Sequence, residues 1–226
     1  MPTAYQISRK RFEAVRQSQN MRWNGDEGGS LQYVLLACLI ILIAISPLLL
    51  DYQPLLEKDE TAFYYIYGLG VPGHMTDFLT VFTELGSLYF IIIFSLILWV
   101  GGHPRLGAGI LLAMLVTILI GYSMKTLIDR PRPYEVLSGV EALSSAVSES
   151  FPSGHTLGAF TVTGVFIMRC KRWAPVVLVF AVAIGVSRIM LGLHFPFDVL
   201  MGAVLGLNIG ILVGGLDIDR RLYDEE

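Results

Sequence analysis

The sequence predicts an all-α protein, an integral membrane bundle of six transmembrane helices. Composition points there first: of 226 residues, 54% are hydrophobic and only 15% are charged, against about 25% charged in an average soluble domain. Mean hydropathy is +0.63. A soluble core of this size would leave much apolar surface facing water, and the same numbers exclude disorder. The second observation is arrangement. The apolar residues fall in six runs, at 31–50, 86–101, 105–124, 155–169, 174–193 and 197–216. None has the alternating pattern of a membrane barrel, so helices are what remains to satisfy the backbone in lipid.

Residues 1–30 form a polar N-terminal tail with Arg9, Lys10, Arg11, Arg16 and Arg22. It precedes an apolar run long enough to span, which is not the pattern of a cleavable signal peptide. A bilayer core needs about 20 helical residues. The run at 31–50 meets this, and so do the later ones with tilt or small extensions. The run at 86–101 is short and extends upstream through Phe78–Leu85. Glycines in the third, fifth and sixth spans read as close-packing positions between helices. Tyr64, Tyr65 and Tyr67 read as part of an interfacial aromatic belt. Residues 31–216 make one domain, and 217–226 a short C-terminal tail.

With the N-terminus inside, the inner segments hold the five tail cations, Arg105, Arg169, Lys171, Arg172, Arg220 and Arg221, eleven of the 16 Lys and Arg. The positive-inside rule therefore places both termini in the cytoplasm. The outer segments hold Lys58, Lys125, Arg130, Arg132 and Arg188. Net charge is −3, and with no basic patch no nucleic-acid partner is expected. Cys38 and Cys170 lie in or beside apolar runs and do not suggest a disulfide framework.

Four of the five outer cations belong to three polar segments. The first runs from Lys125 to Arg132-Pro133 at the outer end of the third span. The second is Phe151-Pro-Ser-Gly-His155, opening the fourth. The third runs from Ser187-Arg188 through His194 to Asp198, between the fifth and sixth. A span that descends from His155 and one that climbs back to Arg188 bring all three to one end of the bundle. Lys125, Arg132 and Arg188 are suited to neutralising phosphate oxygens. Ser153 and Gly154 open a helix, where free N–H groups bind anions. Two histidines suit a nucleophile and a general acid, and Asp198 can hold the His194 ring in one tautomer. This is a set for phosphoryl transfer.

The three segments resemble the signature motifs of the type-2 phosphatidic acid phosphatase superfamily, which includes the vanadium haloperoxidases. Lys125 followed by six residues and Arg132-Pro133 matches the first motif. Pro152-Ser153-Gly154-His155 matches the second. Ser187-Arg188, five residues, His194, three residues and Asp198 match the third. The resemblance covers roughly residues 31–216. It implies a lipid phosphatase of the membrane branch in which His194 is the nucleophile and forms a phosphohistidine. Asp198 orients it, and His155 protonates the leaving oxygen and then activates water. Lys125, Arg132, Ser153, Gly154 and Arg188 bind the phosphate, and no metal or cofactor is needed. The substrates it implies are undecaprenyl pyrophosphate, phosphatidylglycerophosphate or phosphatidic acid, reached from the bilayer at the outer face.

Two other readings use the same residues. A haloperoxidase would hold vanadate in this cradle, but members of that branch are soluble. A lipid transporter or binding protein would place its charges nearer the bilayer midplane. Outside the motifs, His74 is read as a loop residue and His103 lies at an inner turn. Arg130 misses the six-residue spacing and is read as pairing with Asp129 or meeting lipid headgroups. Glu84 is read as interfacial. The 134–150 loop is read as solvated, with a lid as the sharper alternative.

Overall fold

The computed structural model describes residues 25–144 and 148–216, and every regular element among them is helical. In chain order these are α1 (Gly25–Leu50), α2 (Gln53–Tyr67), α3 (Gly73–Thr83), a 3₁₀ turn at Glu84–Gly86, α4 (Leu88–Val100), α5 (Pro104–Ile128), α6 (Pro133–Val136), α7 (Gly154–Arg169), α8 (Ala174–Met190) and α9 (Pro196–Gly214). Proline lies in the opening positions of α2, α5, α6, α8 and α9, where its missing N–H costs nothing and its φ suits a helix. Ser87 caps α4 by accepting from the Phe90 N–H at 3.3 Å. The chain divides into two compact units, Met1–Cys38 and Leu39–Glu226. Of the first, only the opening of α1 is described. The tail cations Arg9, Lys10, Arg11, Arg16, Arg22, Arg220 and Arg221 lie outside the described residues.

Three stretches are long and apolar enough to cross a membrane: Gln32–Leu50, Pro104–Val136 and Pro196–Gly214. Met75–Gly86 and Leu88–Val100 meet the same criterion as a pair, bent by 57° at the 3₁₀ turn, the geometry of a broken span or a re-entrant loop. The expected upstream extension of the second run is therefore present, as a separate helix. The remaining two predicted spans are α8, with 17 residues, and α7, with 16. Two helices have no counterpart among the predicted spans, the single turn α6 and α2, which carries Glu57-Lys58-Asp59-Glu60 and is too polar to register as one. The upstream helix α3 begins at Gly73, so His74 sits in a helical first turn rather than in a loop.

The shortness of α7 follows from where it lies. It is the central helix of its unit, buried without interruption from Thr156 to Phe166. It meets protein where the other helices meet lipid, so it can carry threonines. Thr161 and Thr163 donate to the carbonyls four residues back at 2.9 and 3.0 Å. The Thr161 hydroxyl also lies 2.9 Å from that of Thr117 on α5. Such hydroxyls join helices where lipid offers no partner.

Against α7 lies α9, along Gly202, Gly206 and Gly210, spaced four apart on one face. A Cβ on Gly206 would stand 2.3 Å from the Leu157 carbonyl oxygen, and one on Gly210 2.2 Å from that of Thr161. The backbones touch, as small residues at helix interfaces allow. Gly206→Ala is accordingly expected to destabilise the protein by about 1–3 kcal/mol, read as a lowered thermal midpoint in detergent. An unchanged midpoint would mean that α7 and α9 separate freely. At the far end of α7, Arg169 donates to the carbonyls of Arg105, Gly214 and Leu216 at 2.8–3.1 Å, tying the ends of α7 and α9 to the start of α5.

Candidate active site

Each motif residue owes its place to a helix end. Asp198 stands in the first turn of α9, where its Oδ2 accepts the N–H of Phe195 at 2.9 Å, half of a capping box. Its own carbonyl accepts the Ser153 N–H at 3.1 Å, which joins the start of α9 to the start of α7. His194 lies in the short connection between α8 and α9, and Arg188 in the last turns of α8. Lys125 is in the last turn of α5. Arg132 immediately precedes α6, its N–H bonded to Glu135 Oε2 at 2.6 Å. Gly86 sets the 3₁₀ turn against α7: a Cβ there would stand 2.8 Å from the His155 carbonyl oxygen. That contact brings Glu84 Oε1 to 3.5 Å from His155 Nε2. Glu84 is thus exposed, as an interfacial residue would be, but it also faces a motif histidine.

His194 and Asp198 are buried. Their closest approach, Nδ1 to Oδ2, is 3.7 Å, beyond a direct hydrogen bond. Ser150 stands beside both: its Oγ donates to Asp198 Oδ2 at 2.5 Å and lies 3.4 Å from His194 Nδ1. On the other side of the ring, Arg132 Nη1 lies 3.3 Å from Nε2. A guanidinium only donates, so in this contact Nε2 is the acceptor and the ring proton is on Nδ1. That is the tautomer in which Nε2 is unprotonated and its lone pair faces Arg132. Burial pushes the His194 pKa down to about 3, against the pull of Asp198, so the ring is neutral above that pH.

The expected cations converge on the same place. Arg132 donates through Nε to Ser148 O at 2.6 Å, through Nη1 to Leu193 O at 2.8 Å, and through Nη2 to Glu149 O at a longer 3.4 Å. Lys125 Nζ also donates to Glu149 O. Ser153 is buried with its hydroxyl 3.0 Å from that of Thr156, while Gly154 is exposed at the helix start. Among the described residues, two buried nitrogens of the motifs have no hydrogen-bond partner: Arg188 Nε and His155 Nε2. The end of the 134–150 loop is not simply solvated, because Ser148, Glu149 and Ser150 all bond to motif residues.

One expectation fails. Arg130 neither pairs with Asp129 nor reaches lipid headgroups. Asp129 takes a left-handed conformation, φ 47°, at the end of α5, and the chain turns inward there. Arg130 is buried, bonded through Nη1 to Asp198 Oδ1 and through Nη2 to Asp59 Oδ2 at 2.7 Å, with its guanidinium 4.1 Å from the centre of the Phe195 ring. Asp59, Arg130 and Ser150 were not among the candidates. The one signal available for Arg130 was its departure from the positive-inside rule. Asp59 and Ser150 had none; Ser150 ends the 134–150 loop read as solvated, and Asp59 falls outside the predicted spans and motifs.

Comparison with known proteins gives the family. The profile of the PAP2 superfamily matches residues 106–216. Undecaprenyl-diphosphatase BcrC of Bacillus subtilis is 31% identical over 157 residues, covering 66% of this chain and 79% of that protein. Phosphatidylglycerophosphatase B of the same organism is 31% identical over 158 residues, covering 63% and 75%. Among solved structures, the transmembrane PAP2-type phosphatidylglycerolphosphate phosphatase of Bacillus subtilis is similar over 84% of this chain and 96% of its own, with a TM-score of 0.67 and 27% identity. Aquifex aeolicus LpxE is similar over 68% and 92%, with a TM-score of 0.62 and 31% identity. Motifs, helical membrane architecture and relatives coincide, and the chain belongs to the PAP2 superfamily, among its membrane-embedded lipid phosphatases.

Proposed function

We propose that the protein removes a phosphate from a lipid phosphate or diphosphate at the outer face of the membrane through a phosphohistidine on His194. The observation that carries this reading is the contact of His194 Nε2 with the guanidinium of Arg132 at 3.3 Å in a buried site, in which Nε2 is the unprotonated acceptor. Nε2 attacks phosphorus and the bond from phosphorus to the leaving oxygen breaks. His155, protonated, gives that oxygen its proton. His155 then takes a proton from water, whose oxygen attacks the phosphohistidine, releasing inorganic phosphate and neutral His194. As His194 acquires positive charge, Asp198 and Ser150 hold its Nδ1 side. Lys125, Arg132, Arg188, Ser153 and the Gly154 N–H hold the phosphate oxygens. The unpartnered Nε of Arg188 supports this, because buried donors normally find an acceptor. Fixed cations stabilise the transition state without a metal.

Undecaprenyl diphosphate is the substrate to test first, since relatives in Bacillus subtilis and Escherichia coli are named for it. Phosphatidylglycerophosphate and phosphatidate follow. Purified protein in detergent is expected to release phosphate from this panel with EDTA present, and vanadate, a mimic of five-coordinate phosphorus, is expected to inhibit. Chelator-sensitive activity that Mg²⁺ restores would overturn the mechanism.

The orientation is part of the same proposal: tails 1–30 and 217–226 in the cytoplasm, the phosphatase domain 31–216 between them. In support, Arg169 lies about 21 Å along α7 from His155, so basic turn and site are at opposite ends. With Cys38 and Cys170 replaced, Ser144→Cys is expected to react with an impermeant thiol reagent in intact cells and Asp224→Cys is not. The reverse pattern would invert the topology.

A further inference from the structure

We propose that Asp59, on α2 and outside the three motifs, is a positioning residue for this reaction, acting through Arg130 on Asp198. The inference rests on the reading of His194 as nucleophile. Asp198 divides its two oxygens. Oδ2 faces Ser150, the Phe195 N–H and His194, while Oδ1 is held by Arg130. The other arm of Arg130 is held by Asp59 Oδ2 at 2.7 Å. Asp59 Oδ1 in turn accepts the N–H of Phe197 at 2.8 Å, the residue just before Asp198. Asp59, Arg130 and the first turn of α9 thus close a ring around Asp198, and Asp59, Arg130 and Asp198 are all buried.

Two effects follow. The ring fixes the carboxylate by both oxygens, so Oδ2 keeps its aim at Ser150 and the Nδ1 side of His194. It also sets the charge. One guanidinium alone would cancel Asp198. The second carboxylate leaves the trio net negative, beside a ring that becomes positive as Nε2 bonds to phosphorus. Within a poorly solvated site such a charge is weakly screened.

The test is Asp59→Asn, which keeps shape and an acceptor but removes the charge, in otherwise wild-type full-length protein and in an Asp198→Asn background. The thermal midpoint and the kcat and KM for p-nitrophenyl phosphate are measured in each. Expected is a roughly tenfold fall in kcat with KM within about twofold, and a change below about twofold once Asp198 is already Asn, because coupled residues are non-additive. An unchanged kcat, a loss confined to KM, or an equal loss in both backgrounds would each overturn the proposal. Should Asp59→Asn not fold, Arg130→Lys is read in the same two backgrounds against the same expectations. Failure of the underlying mechanism is told apart by His194→Ala still forming a phosphoenzyme.

Discussion

His194→Ala is expected to abolish turnover, by roughly 10⁴-fold or more, as removal of a covalent nucleophile does elsewhere. No phosphoenzyme should be trapped when the variant is quenched during turnover, whereas the wild-type protein should yield one. The trapping should still succeed in wild type at pH 5. The sign follows from burial. A His194 pKa lowered to about 3 keeps the imidazole neutral at every pH above that value, so the nucleophile is not titrated away where an ordinary histidine, near 6.5, would be. A phosphoenzyme retained in the His194→Ala variant would assign the nucleophile elsewhere, with His155 the first alternative.

His155→Ala should separate two kinds of substrate. A lipid alkoxide is a poor leaving group and needs a proton in the transition state, a contribution of about 10²–10⁴-fold. The p-nitrophenolate of an aryl phosphate needs little help. The variant is therefore expected to lose most of its activity on a lipid phosphate and much less on p-nitrophenyl phosphate in the first step. Both are measured as initial phosphorylation rates, so that the later attack of water does not mask the difference. Equal losses on the two substrates would remove His155 from the role of acid. Glu84 Oε1 lies 3.5 Å from His155 Nε2, the nearest carboxylate to that ring among the described residues.

Much of the architecture was readable from the chain because lipid imposes a local rule. A helix exposed to acyl chains must be apolar along its length, and the runs at 31–50, 105–124 and 197–216 correspond to stretches that meet it. The rule fails for α7, whose neighbours are protein, and for α2, which is charged. It also could not show the 57° bend at Glu84–Gly86. The motif residues were readable for a different reason: their spacing within each segment is tied to helix ends. Asp198 lies three residues after the α9 cap, and Gly154 at the start of α7.

Sequence alone determined that the chain is a helical membrane protein, and it offered the histidines, cations and carboxylate that we propose for phosphoryl transfer. Tertiary structure decided how those groups are held. Arg130, read from its neighbours as an interfacial residue, pairs with partners 71 and 68 positions away. Ser150 comes between His194 and Asp198 from 44 and 48 residues upstream, and Asp59 meets Phe197 across 138. A segment's polarity and periodicity are local properties, legible in a window of residues. The pairing of buried charges depends on which distant segments the packing brings within 3 Å, and low dielectric makes that pairing obligatory once it is made.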